Sequence, residues 1–323
     1  MNLPQPADRQ ADKLTADELA AERLAVEKFA VGQSVPRSED PMLLRGHGCY
    51  TDDVSLPGEA YAVMVRSRIA HGFIRAIDAD AARIMPGVLG VYTAADLKDY
   101  GPLKCIVPFK NRDGSPMKKP WRGALAADKV RYVGDPVAFV VAETALAAKD
   151  AAEAVALEVE ALPAVVAAED AARDGAPLIY DEVPGNVALD YHFGDADAVN
   201  AAFARAAHVT RLKLVNSRVV VNAMEPRAAL AVYGGGRFTL YVASQGVYGM
   251  RANIAEALGV AAKDVHILTG QVGGSFGMKA AVFPEYICLL HAARALGRPV
   301  KWTDERSGSF VSDSHRRQAR APL

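Results

Sequence analysis

Over residues 35–163, short apolar runs with strand character alternate with helical stretches. The runs are AYAVMVRS, FIRAID and VLGVYTAADL, with the capped stretch DADAARIMPG between the last two. VAFVVAETALAAKDAAEAVALEVEAL then joins an unbroken apolar run to a longer helical stretch and a further run. Period-two spacing suits a sheet face and 3.6-residue spacing suits a helix face, so this part predicts an α/β domain with helices over one sheet. Tyr100 to Leu125 has no clear period and reads as a long loop.

Before this region, residues 1–31 are polar and rich in Ala and Glu. Thr15 and Glu18 form a capping box and Leu14 and Leu19 are spaced as a hydrophobic staple, which predicts one surface helix ahead of Gly32. After it, Pro and Gly recur without periodicity, predicting a connector over 164–190 between domains at 32–163 and 191–323. The second region opens with DADAVNAAFARAAHVTRLKL, helix then strand. YGGGR, Tyr233 to Arg237, separates AALAV from FTLYVA as a glycine-turn hairpin. A helix comes next over roughly 248–258 with Gly259 as its C-terminal cap, then a strand VHIL and the glycine-dense turn GQVGGSFGMK. A last helix runs to about Leu296, where Gly297 and Pro299 stop it, and VKWTDER begins another strand.

Composition narrows the class. A chain of 323 residues, 51% hydrophobic and 23% charged, can bury the cores of two or three domains. The formal net charge of -1 comes from mixed charges and supplies no field to gather nucleic acid or anionic lipid. Cys49, Cys105 and Cys288 lack C-x-x-C spacing, which suits a reducing compartment, and three thiolates cannot hold an iron–sulfur cluster alone. The N-terminus has neither a basic start nor an apolar core, and VAFVVA is cut short by Glu143, far below spanning length. The expectation is a soluble, cytoplasmic protein with no membrane span and no nucleic-acid partner.

Chemistry concentrates in the second region. A strand, a glycine turn and a helix together aim backbone N–H groups at a ligand with no side chains in the way. GQVGGSFGMK is not a phosphate loop, because Lys279 does not directly follow a glycine and Ala280 stands where a magnesium-binding hydroxyl is needed. It is not a dinucleotide fingerprint either, since its glycines fall at 270, 273, 274 and 277. A plain structural turn remains open. Ser244-Gln245 ends a strand where a helix begins, a usual place for ligand contacts in α/β sheets, and Gln245 can orient an oxo or amide ligand without adding charge. Met224-Glu225-Pro226-Arg227 sets opposite charges beside a rigid proline and reads as a domain-locking ion pair. The seven histidines show no metal-binding spacing, Ser275 lies outside any nucleophile elbow, and Cys288 falls in an apolar helix as a core residue.

Eight segments in order carry a family resemblance. They include VRYVGDPVAFVVAET, ALPAVV, GNVALDYHFGD, NAMEPRAAL, ASQGVYGMR, GQVGGSFGMK and GRPVKWTDERSGSF. Together they resemble the molybdenum-cofactor subunit of the xanthine dehydrogenase and aldehyde oxidase family, especially chains similar to aerobic carbon monoxide dehydrogenase large subunits. The resemblance implies a chain of α/β to α+β class, with a hammerhead domain followed by the first part of a cofactor-binding domain. It implies molybdopterin, in the cytosine dinucleotide form, with FAD and 2Fe-2S clusters on partner subunits. By the same resemblance Gln245 hydrogen-bonds an oxo ligand of molybdenum, Gly273, Gly274, Ser275 and Gly277 bring backbone to the cofactor, and Phe276 walls the substrate side. The implied reaction is oxidative hydroxylation of an aldehyde, N-heteroaromatic or similar small substrate with water as oxygen source. Ala280 stands where purine-oxidising relatives carry a glutamate, which disfavours xanthine, and Ser275 replaces a common glycine and should be tolerated. Family chains are much longer, and their general-base glutamate lies in the part without a counterpart here. The sequence therefore predicts a truncated frame or a split subunit whose remaining cofactor domain lies on a separate chain. Two other readings stay open: a noncatalytic remnant or assembly partner, and a nucleotide-binding α/β protein.

Overall fold

The structure is a computed structural model that describes residues 36–105, 107–314 and, as backbone, 319–322. The helix expected within residues 1–31 lies outside the described residues. In chain order the strands are β1 (Ala60–Arg66), β2 (Gly72–Asp78), β3 (Val88–Thr93), β4 (Lys129–Val130), β5 (Pro136–Ala142), β6 (Ala156–Ala161), β7 (Lys213–Asn216), β8 (Ala228–Gly234), β9 (Arg237–Val242), β10 (Val265–Leu268), β11 (Val300–Thr303) and β12 (Ala319–Pro322). The longer helices are α1 (Ala145–Glu153), α2 (Ala196–Arg205), α3 (Val247–Leu258), α4 (Pro284–Leu296) and α5 (Arg306–Ser312).

Residues 49–323 form one compact unit, and a seven-stranded sheet of order β10-β9-β8-β11-β1-β5-β3 runs through it. Its join is β1 beside β11, parallel, with Ala60 opposite Val300 and Tyr61 opposite Lys301. Strands from the early α/β region and from the later region thus share one hydrogen-bonded layer. FIRAID does not enter that layer. It becomes β2 in a separate three-stranded sheet of order β4-β2-β6, so the expected single sheet is two. Both edges of β1 are already taken by β5 and β11, leaving no ladder for β2 to join.

Burial follows from this layering. All seven residues of β5 are buried because both of its faces are covered. Phe139 and Val141 belong to the large core with α3 and α4, while Val140 packs with Ala151 of α1 and Val155. In the large core, α4 buries Tyr286 to Leu290, Ala292 and Ala293. Cys288 is at 0% exposure among them, as its apolar helix predicts, and burial pushes its thiol well up. The hairpin forms at YGGGR, with Gly235 and Gly236 both at positive φ as a two-residue turn of that hand needs. Left-handed Gly259 and Gly297 close α3 and α4. No helix among the described residues is long and apolar enough to cross a membrane.

Candidate functional site at the glycine turn

β9 and β10 are parallel neighbours, with Tyr241 opposite Leu268, so their carboxyl ends open at the same edge of the sheet. The segments leaving the two strands therefore meet at that edge. After β9 the chain passes through buried Ala243 and Ser244 to exposed Gln245, just ahead of α3. After β10 it enters the turn Gly270–Met278. The Ser244 amide donates to Thr269 Oγ1 at 3.3 Å, tying the two exits together.

The turn then grips Gln245 from both sides. The Gln245 amide donates to the Lys279 carbonyl at 3.1 Å. Ser275 Oγ donates to Gln245 Oε1 at 2.5 Å and accepts from the Lys279 amide at 2.9 Å. Within the turn, the Met278 amide returns to the Ser275 carbonyl at 2.9 Å. Gln245 Nε2 makes no hydrogen bond among the described residues, which leaves a neutral donor at an exposed position.

The glycines are required by close approach and by backbone conformation. A Cβ on Gly273 would lie 2.5 Å from Glu225 Cβ, a distance real atoms do not tolerate. Gly274 has φ +100°, and a Cβ there would meet the Phe276 ring at 3.0 Å and Ala223 Cβ at 3.3 Å. Phe276 itself has φ 50° and is 80% exposed. A bulky non-glycine residue in the left-handed region costs about 1–3 kcal/mol and persists only where its surroundings over-determine it. An exposed aromatic ring held in that state at the crest of the turn is a surface prepared for contact.

Glu225 supplies the over-determination. Its Oε2 accepts from the Gly273 amide at 2.8 Å and from Lys279 Nζ at 2.7 Å, so one carboxylate oxygen anchors both ends of the segment 273–279. Lys279 Nζ also donates to the Glu225 carbonyl at 3.0 Å, and the Glu225 amide donates to the Gly273 carbonyl at 3.0 Å. The Lys279 side chain is fully buried. Arg306 donates to the carbonyls of Ala223 and Met224 at 2.7 and 3.1 Å, which also holds the loop segment carrying Glu225. Glu225 Oε1 is buried without a partner among the described residues.

The expected pairing of Glu225 with Arg227 is replaced by two separate networks. In an extended segment, neighbours two apart share a side, yet Pro226 and the burial of Arg227 send the charges to different partners. Arg227 bonds Asp313 at 2.6 Å, Glu285 at 2.9 Å and Ser312 at 2.7 Å, and lies 3.9 Å over the Phe283 ring. Glu285 also accepts from Arg66 of β1 at 2.7 Å, so the cluster ties β1 to α4 and α5. Burial alone would raise the Glu285 carboxyl, but Arg227 and Arg66 overcome it and hold the group at about 2. Asp304, at the end of β11, is pushed up by burial despite Arg227. The domain-locking role predicted for Arg227 thus stands with different partners.

A cavity of about 680 Å³ lies over β1 and β11, lined by Arg66, Lys149, Lys301, Trp302, Asp304 and Glu305 among others. Neither Gln245 nor the glycine turn lines it. Its cations are already engaged, Lys149 with Glu305 at 2.8 Å and Lys301 with the Asp52 carbonyl at 2.6 Å. It is a cleft between packed elements, apart from the turn.

Two family models divide the chain. Residues 45–163 match the aldehyde oxidase and xanthine dehydrogenase a/b hammerhead domain, and residues 179–322 match the molybdopterin cofactor-binding domain. The chain belongs to the xanthine dehydrogenase and aldehyde oxidase family. It is 37% identical over 289 residues to the nicotine 6-hydroxylase large subunit of Paenarthrobacter nicotinovorans, covering 88% of this chain and 34% of that protein. It is 32% identical to the carbon monoxide dehydrogenase large chain of Hydrogenophaga pseudoflava, covering 86% of this chain and 36% of the relative. Among solved structures, quinoline 2-oxidoreductase from Pseudomonas putida 86 superposes with a TM-score of 0.81 at 33% identity, over 91% of this chain and 37% of that one. The chain therefore spans about a third of the length of the relatives it matches. Relatives of this family are molybdenum hydroxylases whose large subunits bind molybdopterin.

The family's cofactor can be tested against the residues present. Among the described residues, no three His, Cys, Asp or Glu side chains converge as a metal cage. The turn instead offers bare backbone at Gly273 and Gly274, one neutral amide donor and one aromatic crest. That set suits a large organic group carrying its own metal ligands, so the residues fit molybdopterin. Gln245, Ser275 and the glycines, singled out from sequence, are brought together. Glu225 and Lys279 were missed as partners of the turn; the only signal was a lysine directly after a glycine turn and a lone acid in NAMEPR, 54 positions apart.

Proposed function

We propose that this chain forms the wall of a molybdenum hydroxylase active site against which the cofactor rests. The observation that carries this reading is the Gln245 amide, held by Ser275 beside the glycine turn with Nε2 left as an exposed donor. Gly273, Gly274, Ser275 and Gly277 would admit molybdopterin, in its cytosine dinucleotide form, to the backbone, and Gln245 would donate to an oxo ligand. When bound, that group supplies two-electron oxidative hydroxylation with water as oxygen source. The chain's own share is to orient the cofactor through a preorganised donor and to shield the substrate side with Phe276.

An N-heteroaromatic substrate is favoured, because two relatives are named for nicotine and quinoline; an aldehyde is the second choice. Electrons would leave through 2Fe-2S and FAD subunits. The rest of the cofactor domain would come from further sequence or from a separate chain. Exposed apolar side chains support this: among the described residues α2 buries none of its own and leaves Val199 and Phe203 more than half exposed, and Leu214 and Val215 of β7 are 45% and 56% exposed.

Gln245→Ala tests the reading in a complete complex. Turnover should fall about 10–100-fold with the fold and molybdenum content intact, the usual loss when a group orienting a metal's ligands is removed. Unchanged turnover at equal molybdenum content would remove Gln245 from the site.

A further inference from the structure

A glutamine amide has two ends of nearly equal shape, one a donor and one an acceptor, so rotating it by half a turn exchanges its chemistry. Only its partners decide which end faces a ligand. Gln245 is exposed, so an isolated side chain would sample both orientations. Its backbone, however, is pinned by the 3.1 Å bond to the Lys279 carbonyl, and its Oε1 lies 2.5 Å from Ser275 Oγ.

The atom facing Ser275 is the amide oxygen, which accepts from the hydroxyl. The Ser275 hydroxyl already accepts the Lys279 amide proton at 2.9 Å, and its own proton needs an acceptor, which Oε1 provides. Ser275 is 9% exposed and sits on a rigid base, because fully buried Lys279 is fastened to Glu225. The side chain that selects the amide orientation is therefore itself held in place by the Lys279 amide.

We propose that Ser275 is a positioning residue that locks the Gln245 amide with Nε2 towards the ligand of the glycine turn. The consequence for recognition rests on the functional reading above: this site selects a ligand atom that accepts a hydrogen bond, such as an oxo or carbonyl oxygen, and rejects one that donates. A serine that looked merely tolerable in a glycine turn becomes the residue that gives the turn its polarity.

Two measurements on the full chain and its loaded complex test this. In the first, with glutamine labelled by nitrogen-15 and no cofactor needed, the Gln245 side-chain amide is followed by NMR relaxation. It should be ordered in the native chain and in Ser275→Thr, and fall below an order parameter of about 0.6 in Ser275→Ala, with β8 and β9 unchanged. Equal order in Ser275→Ala would overturn the lock. In the second, Ser275→Ala in the molybdenum-loaded complex should lower kcat about five-fold, with KM and molybdenum content within about two-fold, as expected for one neutral hydrogen bond. Gln245→Ala combined with Ser275→Ala should be no slower than Gln245→Ala alone. Multiplied losses would overturn the proposal, because Ser275 would then act through something other than Gln245. If the native chain acquires no molybdenum, the functional reading fails, while the NMR result still decides the lock.

Discussion

The Lys279 side chain is fully buried, and among the described residues its Nζ bonds only to Glu225, through the carboxylate and the main-chain carbonyl. Breaking such a pair on one side leaves the other charge buried and costs about 3–5 kcal/mol, more than the pair itself contributes. Lys279→Met should therefore lower stability in urea denaturation by about that amount, since Glu225 Oε1 already lacks a partner and Oε2 would keep only the Gly273 amide. Glu225→Gln combined with Lys279→Met removes both charges and should recover part of the loss. Simple addition of the two single costs would show that the residues are not coupled. Phe276 depends on this anchor for its left-handed backbone, so the clamp and the exposed crest are one device seen at two residues.

At the scale of elements, what the sequence revealed was local. YGGGR, the caps Gly259 and Gly297, and the apolar period of α4 each act within a few residues, and each produced the expected hairpin or helix end. Gln245 and GQVGGSFGMK stood out for the same reason, as strand ends carrying unusual residues. The pairings that assemble the fold were not legible. β1 finds β11 some 240 positions away, Ala60 against Val300, and no periodicity in either strand encodes that choice. FIRAID looked like the next strand of the same sheet, but the edges of β1 were occupied by strands far along the chain. The MEPR segment failed similarly: adjacency suggested a pair, whereas burial assigned Glu225 to Lys279 and Arg227 to Glu285 and Asp313.

Across the whole molecule, the Arg227 cluster fastens β1, α4 and α5 and makes their union sensitive to acid. Glu285 falls from an ordinary value of 4.5 to about 2 in the folded chain. A depressed carboxyl contributes its stability fully above the unfolded value and loses it as pH falls through the folded one, here from about 4.5 towards 2. The contribution is on the order of 3 kcal/mol. The urea midpoint should drop between about pH 6 and about pH 3 in the native chain, and drop less in Glu285→Gln; equal acid dependence would place the sensitivity elsewhere. The same continuous sheet delivers Gln245 and the glycine turn to one edge, where a cofactor wall is the function they support. The most direct measurement is molybdenum and pterin content, per copy of this chain, in the complex purified with its partner subunits after cofactor-replete expression. About one of each per chain, reduced by Gly274→Val, whose side chain would crowd Phe276 and Ala223 in the turn, is the expected result. A complex that assembles fully yet contains neither would contradict the cofactor wall.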